Sequence, residues 1–247
     1  MKKFISDWNN WQLVVALSFV LLCAVGSSAV ESDYYLQVMV LAAIFAAIGT
    51  AWAIAGGLSG LLLLGYISFF VMGAYIDGVF FTKLGINPWL CMLLSFFSAA
   101  LLAWAISFLT LRYGLGEDYF AMFTVGLSQV LKYILLNWDY AGGATGIYLT
   151  VIENNFWALS FVDRKPYLYI ALVLLTVVIL VNYGVQRSRM GYYLAAVREN
   201  DQAAEALGIN VRKVKTQAMM LSGGLAGSIG AFYTQFATFI DPKQVFS

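Results

Sequence analysis

Seven apolar runs, each about 20 residues long, limit what this chain can fold into: 11–30, 35–55, 61–81, 89–111, 119–136, 167–185 and 216–240. A helix needs about 20 mostly apolar residues to cross roughly 30 Å of hydrocarbon. A soluble core does not account for them. Only 11% of the 247 residues are charged and 62% are hydrophobic, whereas soluble domains carry about 25% charge. The expected fold is all-α, a polytopic transmembrane helical bundle forming one domain over residues 1–247. The basic start, M-K-K-F-I-S-D-W-N-N-W, has the look of a signal peptide, but no convincing cleavage site leads into a soluble domain. The first run is therefore read as a retained span.

Orientation follows from the basic residues. With the N-terminus inside, the cytoplasmic segments carry Lys2, Lys3, Arg112, Arg187, Arg189, Arg198, Arg212, Lys213 and Lys215. The external segments carry only Lys83, Arg164, Lys165 and Lys243. That asymmetry favours a cytoplasmic N-terminus and puts the polar segment 187–215 in the cytoplasm.

Several chemistries are excluded early. There is no histidine, so His triads, His metal sites and the commonest proton shuttle are absent. Cys23 and Cys91 lie in different apolar runs and read as packing residues. Lys215-Thr216 has no glycine loop before it, so no phosphate-cradling loop of an ATPase is present. No cofactor site is expected, and no basic run is dense enough for nucleic acid.

Two stretches carry the polar and glycine signals. The first is 56–75, G-G-L-S-G-L-L-L-L-G-Y-I-S-F-F-V-M-G-A-Y. Its glycines permit close helix packing. They also permit a broken or re-entrant helix whose freed backbone lines a solute path, and the two readings are compatible. Gly57, Ser59, Ser68 and Tyr75, with Thr124 in the fifth run, are the candidate pathway residues. In the seventh run Gly223 and Gly227 form a G-x-x-x-G pair, and Ala226–Gly230 repeats the spacing, predicting intimate packing. Lys132 and Asp77, near the outer ends of their runs, either snorkel to water or face a pore. A pair between them is conceivable.

The second stretch is 187–215, R-S-R-M-G-Y-Y-L-A-A-V-R-E-N-D-Q-A-A-E-A-L-G-I-N-V-R-K-V-K. It predicts a short helix over 202–207, capped by Asn200 or Asp201 and ended by a left-handed Gly208, with Asn210 capping the next helix. Ala203, Ala204 and Ala206 give it a narrow profile, suited to lodging in a cleft of another protein. The long outer connection, 137–165, opens on a glycine-rich turn. Residues 147–151 are expected to pair as a strand, and 156–161 to form an aromatic half-helix at the interface.

The segment G-Y-Y-L-A-A-V-R-E-N-D-Q-A-A-E-A-L-G-I-N-V-R-K-V-K, followed by L-S-G-G-L-A-G-S-I-G-A-F-Y, closely resembles the permeases of branched-chain amino acid ABC importers. Weaker similarity extends to 56–75, to Y-F-A with Thr124, and to G-G-A-T-G-I at 142–147; Leu63 stands where the family often has serine. The resemblance implies an inner-membrane, multi-pass permease of a bacterium or archaeon, carrying branched-chain or similar small amino acids. It implies as partners a second permease subunit, two cytoplasmic ATPase subunits and an external solute-binding protein docking on the outer connection. The helix at 202–207 would then be the coupling element. Glu199, Asp201 and Glu205 would make rim contacts, Ala203, Ala204 and Ala206 would fill a motor socket, and Gly208 would turn the chain back. Related permeases carry urea or short amides, and an ion-coupled secondary transporter is the remaining rival. Family members usually continue with further apolar segments, so the chain is expected to be a C-terminal truncation.

Overall fold

The computed structural model describes residues 2–27, 32–114, 116–149 and 155–246. The chain is an all-α bundle with one small strand pair. Its helices are α1 Lys2–Gly26, α2 Asp33–Trp52, α3 Ile67–Leu84, α4 Pro88–Arg112, α5 Glu117–Leu136, α6 Lys165–Arg187, α7 Arg189–Glu199, α8 Asp201–Ala206, α9 Val211–Ala237 and α10 Pro242–Val245. Among the described residues, five helical segments are long and apolar enough to cross a membrane: Asp33–Gly57, Ile67–Leu84, Pro88–Arg112, Asp118–Leu136 and Lys165–Arg187.

Helix α9 sits at the centre, with α3 and α4 packed closely along it and α2 beside it. Small residues set those distances. A β-carbon at Gly227 would lie 2.6 Å from the Ser95 carbonyl oxygen of α4, and one at Gly223 would lie 2.9 Å from the Ala103 methyl. Gly230 meets the Phe70 carbonyl and Gly73 meets the backbone of Gly227. The glycine spacing of the seventh run thus serves two neighbours at once. Between such helices attraction comes from packing and hydrogen bonds, since lipid is as apolar as leucine. The bonds are here too: Ser95 Oγ to the Gly73 carbonyl at 2.9 Å, Ser222 Oγ to the Ala51 carbonyl at 2.7 Å, and Thr234 Oγ1 to the Ala74 carbonyl at 3.1 Å.

The third apolar run is not one helix. After α2 the chain passes through a π-helical segment, Ala53–Gly57, breaks at Gly60, runs irregularly through 61–66, and resumes as α3. Leucines 61–64 satisfy any hydropathy count, but they are not helical. The break is held by side chains of α2 and α5. Trp52 Nε1 donates to the Leu63 carbonyl at 3.2 Å, and the Gly65 amide donates to Thr124 Oγ1 at 3.2 Å.

The connection between α5 and α6 has local structure where it is described. Two 3₁₀ turns, Asp139–Ala141 and Gly143–Thr145, lead to strand β1 Ile147–Tyr148. It pairs antiparallel with β2 Phe239–Ile240, beyond α9, in the register Ile147↔Ile240. The rest of the strand expected over 147–151 lies partly outside the described residues. In place of a half-helix, 156–161 holds one 3₁₀ turn, Phe156–Ala158, closed by the Asn155↔Ser160 bridge. Leu159 there takes a left-handed φ of 47°, which ends any helix. Trp89 Nε1 holds the Phe156 carbonyl at 3.1 Å and Tyr167 Oη donates to the Leu159 carbonyl at 2.9 Å, fixing the turn to α4 and α6.

Candidate functional site

Helix α8 forms because both its ends are chemically closed. Asn200 Oδ1 accepts from the Ala203 amide at 2.9 Å, so Asn200 is the cap and Asp201 is released for other work. At the far end Ile209 N donates to the Ala204 carbonyl at 3.1 Å and Gly208 N to the Glu205 carbonyl at 2.9 Å. That pair of bonds is the Schellman arrangement, which needs a left-handed residue after the cap. Gly208 supplies it at φ 84°.

Asp201 turns back onto the following helix. Its Oδ2 lies 2.6 Å from Lys215 Nζ, and the lysine side chain is only 7% exposed while the aspartate is 48% exposed. This pair ties α8 to the first turns of α9. Ala204 is buried as well, packed with Val197 of α7 and Val211 of α9. The three alanines therefore do not share a face: Ala204 points into its own chain, while Ala203 and Ala206 are exposed together with Glu199 and Glu205. Leu207, just after the last turn, is 81% exposed. Sequence reading passed over it because a single leucine at a helix end carries no periodic signal.

Helix α7 was also hidden in a segment that reads as polar loop. Ser188 Oγ caps it by accepting from the Gly191 amide at 3.4 Å, and Leu194 and Val197 are buried on one face. The i, i+3 spacing of those two residues was the available signal. From its last turn, Arg198 Nη1 donates to the Gly57 carbonyl at 2.9 Å.

The candidate pathway residues divide by position. Gly57 and Ser59 stand at the break after α2, where Ser59 Oγ donates to the Ala55 carbonyl. Thr124 joins them through Gly65, and its own hydroxyl donates to the Ala121 carbonyl at 2.8 Å. Ser68 begins α3 close by, whereas Tyr75 lies two turns further along that helix. The Ser68 and Tyr75 hydroxyls are buried and meet no hydrogen-bond partner among the described residues. A buried polar atom left so calls for a partner of its own. Asp77 neither snorkels nor meets Lys132. It is fully buried, and Gln235 Nε2 donates to its Oδ2 at 2.7 Å. Among the described residues no cluster of His, Cys, Asp or Glu is built to hold a metal ion.

The sequence model of the family described as "Branched-chain amino acid transport system / permease component" matches residues 34–247. The high-affinity branched-chain amino acid transport system permease protein LivM of Escherichia coli (strain K12) is 29% identical, the match covering 96% of this chain and 61% of that protein. Its counterpart from Salmonella typhimurium is 27% identical over 94% of this chain and 58% of that protein. The nucleoside ABC transporter permease protein NupC of Lactococcus lactis subsp. cremoris is 29% identical over 78% of this chain and 63% of that protein. The chain thus spans about three fifths of the length of the curated relatives it matches. No solved structure matches it. With the match running from the start of α2 through the centre of the bundle to its last residue, the chain belongs to the family of permease components of branched-chain amino acid transport systems.

Proposed function

We propose that the chain is the membrane-spanning permease subunit of an ATP-binding-cassette importer, carrying branched-chain or similar small amino acids across the inner membrane. In this reading the seven apolar runs cross the bilayer within a single domain, with the N-terminus inside. The chain pairs with a second permease subunit and receives solute from an external binding protein. Two cytoplasmic ATPase subunits hydrolyse the nucleotide, and this chain supplies no nucleotide chemistry.

The observation that carries the reading is helix α8, closed at both ends and followed by the exposed Leu207, set on a bundle of this family. Ala203, Glu205, Ala206 and Leu207 form a surface for a motor cleft, with Glu199 at the rim. Asp201 and Ala204 act from the inner side, as the anchors that make α8 move with α7 and α9. ATP binding draws the motors together, and the push on α8 is passed to the spans. Solute then moves past the irregular backbone at 60–66, with Gly57, Ser59, Ser68, Tyr75 and Thr124 along its course. The buried, unsatisfied hydroxyls of Ser68 and Tyr75 support that assignment.

Reconstitution with the ATPases and binding protein encoded beside this chain tests it. Uptake of leucine, isoleucine or valine is expected to require ATP and to be indifferent to ionophores. Uptake that survives ATP removal but collapses with the ion gradient would make the chain a secondary carrier. The relative named for nucleosides supports a second substrate class, so unlabelled nucleosides, urea and short amides belong in the competition assay.

A further inference from the structure

The geometry points to Arg198 as the positioning residue that locks the coupling arm to the broken second helix, so that a push on α8 moves the solute path itself. The inference rests on the permease reading and adds to it a residue and a route. At the break at Gly60 the last helical turn is left with carbonyls that have lost their intrahelical donors. Gly56 recovers a partner in the Gly60 amide at 3.1 Å. The Gly57 carbonyl instead receives Arg198 Nη1 at 2.9 Å, from a residue 141 positions away in sequence. A cation at a helix C-terminus also complements the dipole there, and its hydrogen bond is charge-assisted.

The arginine grips the break twice. Its stem lies on Gly60, where a β-carbon would sit 3.3 Å from Arg198 Cγ. Gly60 has φ 74°, so glycine both makes the bend and leaves room for the stem. The neighbouring residue, Val197, is buried against Ala204 of α8 and Val211 of α9. One turn of α7 therefore touches the coupling helix with Val197 and the break with Arg198. Beyond the break, the Gly65 amide bonds Thr124 Oγ1, and Tyr66 Oη donates to the Ser222 carbonyl at 2.9 Å. Movement of α7 reaches α5 and α9 through these bonds and the short stretch 61–66 that carries them.

The test uses the assembled transporter in vesicles with two variants, Arg198→Gln, which keeps the stem, and Arg198→Lys, which keeps the charge. Spin labels at Leu64→Cys and Tyr192→Cys, both on exposed positions, report the distance from break to arm in a Cys23→Ala background. The parent is expected to give one narrow distance, the same without nucleotide and in the trapped ATP state. Arg198→Gln should broaden it and raise the ATP consumed per solute moved about tenfold, the factor that one charge-assisted hydrogen bond is worth. Arg198→Lys should fall between the two.

An unchanged distribution in Arg198→Gln overturns the proposal, and so does a broadened one with the parent's ATP-to-solute ratio. A parallel fall in assembly, hydrolysis and uptake would mean that Arg198 only supports folding, and overturns it too. If the parent shows no ATP-driven uptake, the permease reading fails. The distance measurement then decides alone: broadening in Arg198→Gln keeps the lock between arm and break, and no broadening removes it.

Discussion

Lys215 is the residue whose surroundings differ most from what its place in the sequence implies. In a basic cytoplasmic segment it counts simply as a positive charge, yet its side chain is almost wholly buried on Asp201. Breaking such a pair costs most when the charge left behind is the buried one. Asp201→Asn, which strands the lysine, should lower stability by about 1–3 kcal/mol. Lys215→Met should cost clearly less, because the half-exposed aspartate regains water and the methionine fills the space. Thermal unfolding of the solubilised protein checks the order, and equal or reversed losses would remove the anchor assignment. Sequence reading found the parts of α8 that are local, its Gly208 end and a cap at Asn200 or Asp201, since caps are set within four residues. It could not divide the alanines into Ala204 inside and Ala203 and Ala206 outside, because three identical small residues carry no amphipathic signal.

Among the helices, the departure from sequence expectation falls where hydropathy is blind to backbone. The long apolar helices α4 and α6 were legible, since about 20 apolar residues in lipid leave the backbone little choice but a helix. The run at 61–81 was not, because Leu61–Leu64 is equally apolar whether coiled or extended. The glycines nearby signalled the break, and outside contacts from Trp52, Thr124 and Arg198 make it tolerable. A β-carbon at Gly65 would collide with the Thr124 carbonyl, whereas one at Gly126 on α5 meets nothing within 4 Å. Gly65→Ala should therefore destabilise by about 1–3 kcal/mol. Gly126→Ala should be neutral or stabilise by up to about 1 kcal/mol. Denaturation midpoints of the two variants test this, and similar values would mean that the break does not rest on α5. Helix α7 was missed for the opposite reason. Its polar residues dominate the composition, and its short apolar face is completed by other elements, Val197 against α8 and α9 and Leu194 in the main core.

At the scale of the whole molecule, the bundle is pinned at both ends of α9. At one end the β1–β2 pair joins the connection between α5 and α6 to the residues after the helix, and at the other Lys215 holds α8 through Asp201. Pairings across this distance in sequence leave no local trace, so a strand from Ile147 was expected but its partner beyond α9 was not. The arrangement places Leu207 and the Tyr148–Phe239 ring pair, whose centroids are 4.4 Å apart, at opposite ends of α9. A membrane-impermeant maleimide should therefore label Leu207→Cys in inverted vesicles only, and Tyr148→Cys in intact cells only. Swapped labelling would reverse the orientation, and labelling of both from one side would break the bundle reading.

The most direct measurement of coupling through α8 is ATP-driven uptake by Gly208→Pro in the reconstituted transporter. Proline cannot adopt φ 84° and has no amide for the Glu205 carbonyl, so the turn after α8 is lost while the spans are untouched. The expected result is normal membrane insertion with uptake and stimulated ATP hydrolysis both abolished. Uptake at the parent's rate would contradict the account.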